Sequence, residues 1–288
     1  MSLTVTPLSD ALGAEIHGVD PRLPFDADTR SGFFDALHDH IVLVFRGAAM
    51  DETQQIAFAA QFGELGERSR PVEMRAEASN FSVSPKVMLV SNIRDSEGAL
   101  IGSLPDGEMW FHHDTSFSEV AHKLTVLNAI EIPATGGHTK FANSYLAYDA
   151  VPAALKQMLT GRTVMQIFNF KQTQCLGHHA LATEDLSRYP HAIHSVFITH
   201  PQTGRKVLYV SRLISARIRE LPADESDAIL EELFTIAETP EFIYEHHWKP
   251  GDLVVWDNYC SMHARTHYDP AERRLLRRCT VIGEALHE

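Results

Sequence analysis

The sequence LTVLNAIEIPATGGHTKFA, residues 124–142, has the pattern of two strands that flank a turn. Residues 124–132 and 139–142 are rich in apolar and β-branched side chains, which favour strands. The segment Pro-Ala-Thr-Gly-Gly at residues 133–137 separates them, and proline and glycine are typical of turns. This stretch therefore predicts a fold that is built on short strands.

Short strands also dominate the rest of the chain. Turn residues at 201–204 and 249–251 predict two hairpins, and the second one would join residues 242–248 to residues 252–256. Further strands are predicted at residues 41–45, 87–90, 164–170, 195–200, 206–210 and 278–283. Helices are predicted at residues 28–40, 51–62, 145–159 and 224–237, and a long loop that would serve as a lid at residues 172–190.

Strands and helices do not alternate regularly along the chain, which argues against a doubly wound fold. We predict a mainly β fold with flanking helices, a double-stranded β-helix of the jelly-roll, cupin-like type. The chain has 288 residues and contains no repeat or linker-like tract, so we expect a single domain over residues 1–288.

Composition excludes several classes of function. The formal net charge of −13 argues against a nucleic-acid binder, which usually presents a basic surface. No apolar run approaches the 18 residues that a membrane span needs, so no membrane association is expected. The three cysteines form no CxxC pair, and the first residues have no signal-peptide pattern. A cytoplasmic protein without disulfides is therefore expected.

The clearest chemical motif is WFHHDTSF at residues 110–117. In an extended strand, residues two apart point to the same side, so His112 and Asp114 would project together. A third ligand, with His263 as the candidate, would complete a 2-His-1-carboxylate site that leaves three adjacent iron positions open. Because the chain contains 17 histidines, an HxD pattern can also arise by chance. His263 and His267 are four residues apart, and on a helix this spacing would instead suit zinc.

Four arginines in RRLLRR, residues 273–278, form the second chemical motif. In a strand that begins near Leu275, Arg278 shares a face with Leu276, and Arg274 has the same parity. Two guanidinium groups on an inward face would need anionic partners, and the planar fork of arginine suits a carboxylate. The alternative interpretation is a solvated basic run at the end of a strand.

Taken together, the motifs resemble the taurine and 2,4-dichlorophenoxyacetate dioxygenases, the TauD/TfdA family. The resemblance extends over most of the chain. Its motifs are LGAEI at residues 12–16, VFRG at residues 44–47, QIAF at residues 55–58, Trp110 with His112 and Asp114, Thr139 after a Gly-Gly-His sequence, WDN-x4-H at residues 256–263, and arginines 11 and 15 residues after His263.

The resemblance implies the function and the site. It implies an Fe(II)- and 2-oxoglutarate-dependent dioxygenase that uses O2 to hydroxylate a small organic anion, a carboxylate or a sulfonate, and releases succinate and CO2. His112, Asp114 and His263 would bind the iron. Thr139 and Arg274 would hold the distal carboxylate of 2-oxoglutarate, and Arg278 would lie near the primary substrate. The resemblance also implies a homo-oligomer.

Two other functions stay open from the residues. A zinc hydrolase built on His263 and His267 would need neither O2 nor a 2-oxo acid, and it would fail when His267 is replaced. A metal-dependent binding or sensing protein with the same fold would bind a ligand without releasing succinate.

Overall fold

The computed structural model describes residues 3–67, 84–104, 107–168 and 189–288. Sixteen strands are described: β1 Thr4–Pro7, β2 Ala14–His17, β3 Val42–Phe45, β4 Met88–Ser91, β5 Met109–His112, β6 His122–Glu131, β7 Thr139–Asn143, β8 Thr163–Ile167, β9 His191–Ser195, β10 Phe197–Thr199, β11 Lys206–Leu208, β12 Ser215–Ile218, β13 Ile243–His246, β14 Leu253–Asp257, β15 Ser261–Arg265 and β16 Leu275–Ile282. Five α-helices are described: α1 Ala27–His40, α2 Glu52–Ala60, α3 Ser144–Ala150, α4 Ala153–Leu159 and α5 Ala223–Ala237. The predicted mainly β fold with flanking helices is therefore confirmed, whereas the lid predicted at residues 172–190 lies almost entirely outside the described residues.

Two sheets carry the site. The larger has seven strands in the order β1-β2-β3-β14-β6-β16-β4, and the smaller has four in the order β13-β7-β15-β5. Alternate side chains of the large sheet point in opposite directions, because successive strand residues face opposite sides. Leu43 and Val255 pack with α1 and α2, whereas Val44 and Trp256 pack in the same cluster as Phe141 of the small sheet. The second cluster therefore fills the space between the two sheets.

Helix α2 shows how local sequence fixes an element. Asp51 accepts a hydrogen bond from the backbone N–H of Gln54, and the Gln54 side chain accepts one from the backbone N–H of Asp51. This reciprocal pair is a capping box, which stabilises the start of the helix predicted at residues 51–62. Gln55, one residue later, is fully buried, and its amide donates to the carbonyl oxygens of Val126 and Arg277. These bonds attach the helix to the face of the large sheet that points away from the small sheet.

Two local predictions are wrong. The hairpin predicted between residues 242–248 and 252–256 does not form, because β13 belongs to the small sheet and β14 to the large one. The helix predicted at residues 145–159 is two helices, since Val151 and Pro152 interrupt it and Pro152 stands at the N-cap of α4. By contrast, the first predicted hairpin is confirmed, because β10 pairs with β11 in antiparallel register.

Within the described ranges, we find no helix that combines the length and the apolar character needed to cross a membrane.

Candidate metal centre

Two strands of the small sheet bring the predicted histidines together. His112 ends β5, and His263 lies directly opposite it in the middle of β15. Their ring centroids are 4.1 Å apart. The Nδ1–H group of His112 donates to the carbonyl oxygen of Trp110 at 2.9 Å, which fixes the ring and leaves Nε2 for another contact. Strand β15 itself is not apparent from the sequence, where His263 simply follows a polar turn.

Asp114 reaches the same point from the loop after β5. Its Oδ1 lies 4.0 Å from His112 Nε2, and one ligand atom from each of His112, Asp114 and His263 lies within 4.8 Å of the others. The next residue, Thr115, has a left-handed backbone with a φ of 56°, which turns the chain sharply after the carboxylate. The structure therefore places the three predicted ligands in one group, and the group is buried except for partial exposure of His263.

The backbone of Asp114 is held by Asn258, a residue of the WDN motif to which the sequence alone gives no role. The Asn258 side chain accepts a hydrogen bond from the Asp114 N–H at 2.8 Å and donates to the Asp114 carbonyl oxygen at 2.7 Å. It also donates to the carbonyl oxygen of His122 at 2.9 Å, and it is fully buried. Asn258 therefore connects the turn after β14 to the loop that carries the carboxylate.

The surroundings keep all three groups in the form that binds a metal. Burial lowers the pKa of His112 and, more strongly, that of His263, so both imidazoles are neutral at pH 7. Burial alone would raise the pKa of Asp114, but the positive charge of Arg278 is the largest effect that opposes it, and the pKa lies well below its ordinary value. A neutral imidazole pair with one carboxylate is the donor set that suits a divalent transition metal, and Fe(II) fits it.

Two side chains of the large sheet contact the Asp114 carboxylate. Thr125 on β6 donates from Oγ1 to Oδ2 at 2.8 Å, and Arg278 on β16 donates from Nη1 to Oδ1 at 2.9 Å. Strand β6 contains several other polar residues, among them Lys123 and Asn128, so no local signal in the sequence singles out Thr125. The predicted inward face of β16 is confirmed for Arg278, since Arg277 points the other way and donates to Gln55 behind the sheet.

Thr125→Val is expected to lower metal affinity about 10- to 100-fold, because the Asp114 oxygen loses the hydrogen bond that orients it. Metal affinity of the purified variant, measured by competition with a chelator, checks this expectation. Thr280→Val is a matched control, since Thr280 lies opposite Thr125 on β16. Equal affinities of the two variants would contradict an orienting role for Thr125.

One cavity joins the metal ligands to the predicted anion-binding residues. Its polar lining consists of His112, His263, Thr139, Arg265, Arg274 and Arg278. Its other lining residues are largely apolar, among them Leu127, Met109 and Trp256. Arg265, which no sequence motif indicates, donates to the carbonyl oxygens of Leu104 and Gly107 at 2.8 and 3.0 Å.

Arg274 is the most deeply buried of the three arginines that line this cavity. Its exposed fraction is 2%, and burial, followed by the charge of Arg265, lowers its pKa to about 9. One terminal nitrogen donates to the Gly137 carbonyl oxygen at 3.3 Å, whereas Nε and Nη1 have no hydrogen-bond partner among the described residues. An uncompensated guanidinium in a cavity is costly and is therefore expected to bind an anion.

The Gly136–Gly137 pair explains how the chain approaches Arg274 so closely. Both glycines have positive φ angles, 71° and 65°, which glycine adopts without strain. A Cβ atom on Gly136 would lie 2.2 Å from the carbonyl oxygen of His267, so only glycine fits there. Thr139 follows at the start of β7, and its Oγ1 accepts a hydrogen bond from Trp248 Nε1 at 3.0 Å.

His267, the residue of the zinc alternative, does not join this site. Its side chain is exposed, and it belongs to none of the three potential metal-binding groups found in the described part of the chain. Its backbone instead accepts a hydrogen bond from the Gly137 N–H at 3.1 Å. The geometry therefore gives no support to a zinc site formed by His263 and His267.

Comparisons with known proteins identify the family of the chain. The family model described as taurine catabolism dioxygenase TauD, TfdA family matches residues 4–280. The chain is 32% identical, over 295 residues, to the alpha-ketoglutarate-dependent 2,4-dichlorophenoxyacetate dioxygenase of Cupriavidus pinatubonensis, and the match covers 99% of this chain and 100% of the relative. It is 31% identical to the (S)-phenoxypropionate/alpha-ketoglutarate-dioxygenase of Sphingobium herbicidovorans, over 99% of this chain and 96% of the relative.

A solved structure is similar over almost the same length. The crystal structure of AAD-2 in complex with Mn(II) and N-oxalylglycine superimposes with a TM-score of 0.80 at 28% identity. The match covers 99% of this chain and 98% of that chain.

Proposed function

Because the chain belongs to the taurine catabolism dioxygenase TauD, TfdA family, we propose that His112, Asp114 and His263 bind Fe(II) in its active site. The observation that carries the proposal is the convergence of these three ligand atoms within 4.8 Å, beside a buried arginine. Family membership confirms the predicted reaction class, a 2-oxoglutarate-dependent dioxygenase, and the predicted jelly-roll fold.

The iron would supply the O2 chemistry that couples decarboxylation of 2-oxoglutarate, to succinate and CO2, to hydroxylation of a substrate C–H bond. The chain's own residues would bind the metal and exclude water from it. The three protein ligands would hold the metal and would leave room beside it for the cosubstrate and O2. The apolar residues of the cavity, among them Leu127 and Trp256, exclude water from these positions.

Arg274 and Thr139 are proposed to hold the distal carboxylate of 2-oxoglutarate. Both line the cavity that contains the two histidines, and both are buried. The Nε and Nη1 donors of Arg274 have no hydrogen-bond partner among the described residues, so they remain available to an anionic ligand. The indole N–H of Trp248 donates to Thr139 Oγ1 and so orients the Thr139 side chain.

The primary substrate is proposed to be a small organic carboxylate or sulfonate. Arg278 contacts the carboxylate of Asp114, and its Nε atom has no hydrogen-bond partner among the described residues. The names of two relatives specify aryloxy carboxylates, namely 2,4-dichlorophenoxyacetate and (S)-phenoxypropionate. If the hydroxylated carbon carries an ether oxygen, the hemiacetal product breaks down and the net result is cleavage.

We expect the Fe(II)-loaded protein to release succinate in proportion to product with at least one member of a panel of small anions. The panel contains aryloxyacetates, aryloxypropionates, alkyl sulfonates and alkyl sulfates, and succinate and product are measured together. Matched reactions without O2, or with Zn(II) in place of Fe(II), should release none. Turnover that persists in either control would contradict the proposed iron chemistry and would favour a hydrolase.

The single domain over residues 1–288, the homo-oligomeric state and the cytoplasmic location stay predictions from the sequence.

A further inference from the structure

A second group of potential metal ligands lies away from the cavity. His138, Glu245 and His247 each offer one ligand atom within 4.8 Å of the others. His247 and Glu245 are accessible, with side-chain exposures of 68% and 34%. None of the three takes part in the active site proposed above.

The pairing of β7 with β13 places these residues together. Thr139 lies opposite His246 and Lys140 opposite Glu245, so the next pair beyond the end of β13 is His138 and His247. Glu245 and His247 are two residues apart and therefore share one face. The rings of His138 and His247 have centroids 4.0 Å apart and are tilted by 43°.

The charges around the group suit a cation. The Nδ1 atom of His138 is buried and has no hydrogen-bond partner among the described residues. Burial and the neighbouring His247 lower the pKa of His138, so this imidazole is neutral at pH 7. One oxygen of Glu245 lies 4.0 Å from His247 Nε2, and the other lies 3.9 Å from the ammonium of Lys140.

We propose that His138, Glu245 and His247 form a second divalent-metal site, selective for borderline ions such as Zn(II) and Ni(II). Two imidazoles and one carboxylate are the ligands that these ions accept, and bound water would complete the coordination. Lys140 competes with the metal for Glu245, which makes the site weaker than a fully dedicated one.

The location of this site links it to the cosubstrate cavity. His138 immediately precedes Thr139, and His247 immediately precedes Trp248. Trp248 donates to Thr139 Oγ1 at 3.0 Å, inside the cavity lining. A metal that joins His138 to His247 would therefore tie together the two chain segments that carry this hydrogen bond.

Zn(II) titration of the metal-stripped full-length protein against a chromophoric chelator tests the proposal. Relative to the wild type, His247→Ala is expected to lose one equivalent of bound Zn(II), and His138→Ala the same equivalent. His267→Ala is the matched control, since it removes another exposed histidine outside the group, and it should lose none. In Lys140→Ala, the second site should bind Zn(II) up to about fivefold more tightly, because the exposed ammonium that competes for Glu245 is gone.

Asp114→Ala separates this proposal from the proposed function. It should lose the active-site equivalent and keep the one that depends on His247. An Asp114→Ala protein that loses no Zn(II) would contradict the active-site assignment alone. Unchanged stoichiometry in both His247→Ala and His138→Ala would overturn the second site and leave the active site untouched.

Discussion

Asp114→Ala is expected to reduce substrate-dependent succinate formation below detection. Asp114 is the only carboxylate in the group with His112 and His263, so its loss leaves two imidazoles, which hold Fe(II) poorly. The carboxylate is also the partner of Arg278, with a contact of 2.9 Å. Removing it therefore leaves a largely buried guanidinium beside the metal position, and this charge repels the cation.

The measurement pairs turnover with a check of folding. Succinate is quantified with Fe(II), 2-oxoglutarate and the best anion of the panel, and the fold is checked by circular dichroism and thermal unfolding. Asp114→Asn serves as a second variant that keeps the size of the side chain and the Thr125 contact while removing the negative charge. His267→Ala should keep full activity. If Asp114→Ala retains turnover while folded, the ligand assignment is wrong.

The local periodicity of the sequence predicts part of this site correctly. Residues two apart on a strand share a face, and this rule correctly separates Arg278 from Arg277. His112 and Asp114 also converge as predicted, but Asp114 lies in the loop after β5, outside the strand that the prediction assumed. The rule needs no knowledge of which strands are neighbours. The same holds for the capping box of α2, which lies within four consecutive residues.

The contacts that the sequence does not reveal depend on sheet pairing. Asn258 and Asp114 are 144 residues apart in the chain, and they meet only because β14 and β5 end near each other. Thr125 contacts Asp114 because β6 lies in the large sheet, across the interior from the small one. Local patterns carry no information on which distant strands pair, so neither role can be read from the sequence.

The wrong hairpin has a related cause. Lys249, Pro250 and Gly251 have the chemistry of a turn, and turn chemistry predicts a change of direction without specifying the partner strand. Here the chain leaves the small sheet at His246 and enters the large one at Leu253. The segment between the sheets carries Trp248, which donates to Thr139, so the crossover itself orients a residue of the cavity that we propose for the cosubstrate.

Arg274→Met is expected to raise the KM for 2-oxoglutarate about 10- to 150-fold, since a hydrogen bond to a charged group contributes about 1.5–3 kcal/mol. The kcat should change less, because the side chain acts on binding and not on the reacting atoms. Without cosubstrate, the variant should unfold at a temperature equal to or above that of the wild type. Burial lowers the pKa of Arg274 to about 9, so its positive charge destabilises the folded protein when no anion is bound.

The neighbouring arginine provides the control for this change. Arg273 is 62% exposed and pairs with Glu131 at 2.7 Å, so Arg273→Met should leave the KM for 2-oxoglutarate unchanged. Thermal unfolding with Mn(II) and N-oxalylglycine gives an independent measure of cosubstrate binding. The ligand should stabilise the wild type and Arg273→Met, and it should have little effect on Arg274→Met. Equal stabilisation of all three would show that the distal carboxylate binds elsewhere, and Arg265 would then be the cation to replace next, because it lines the same cavity.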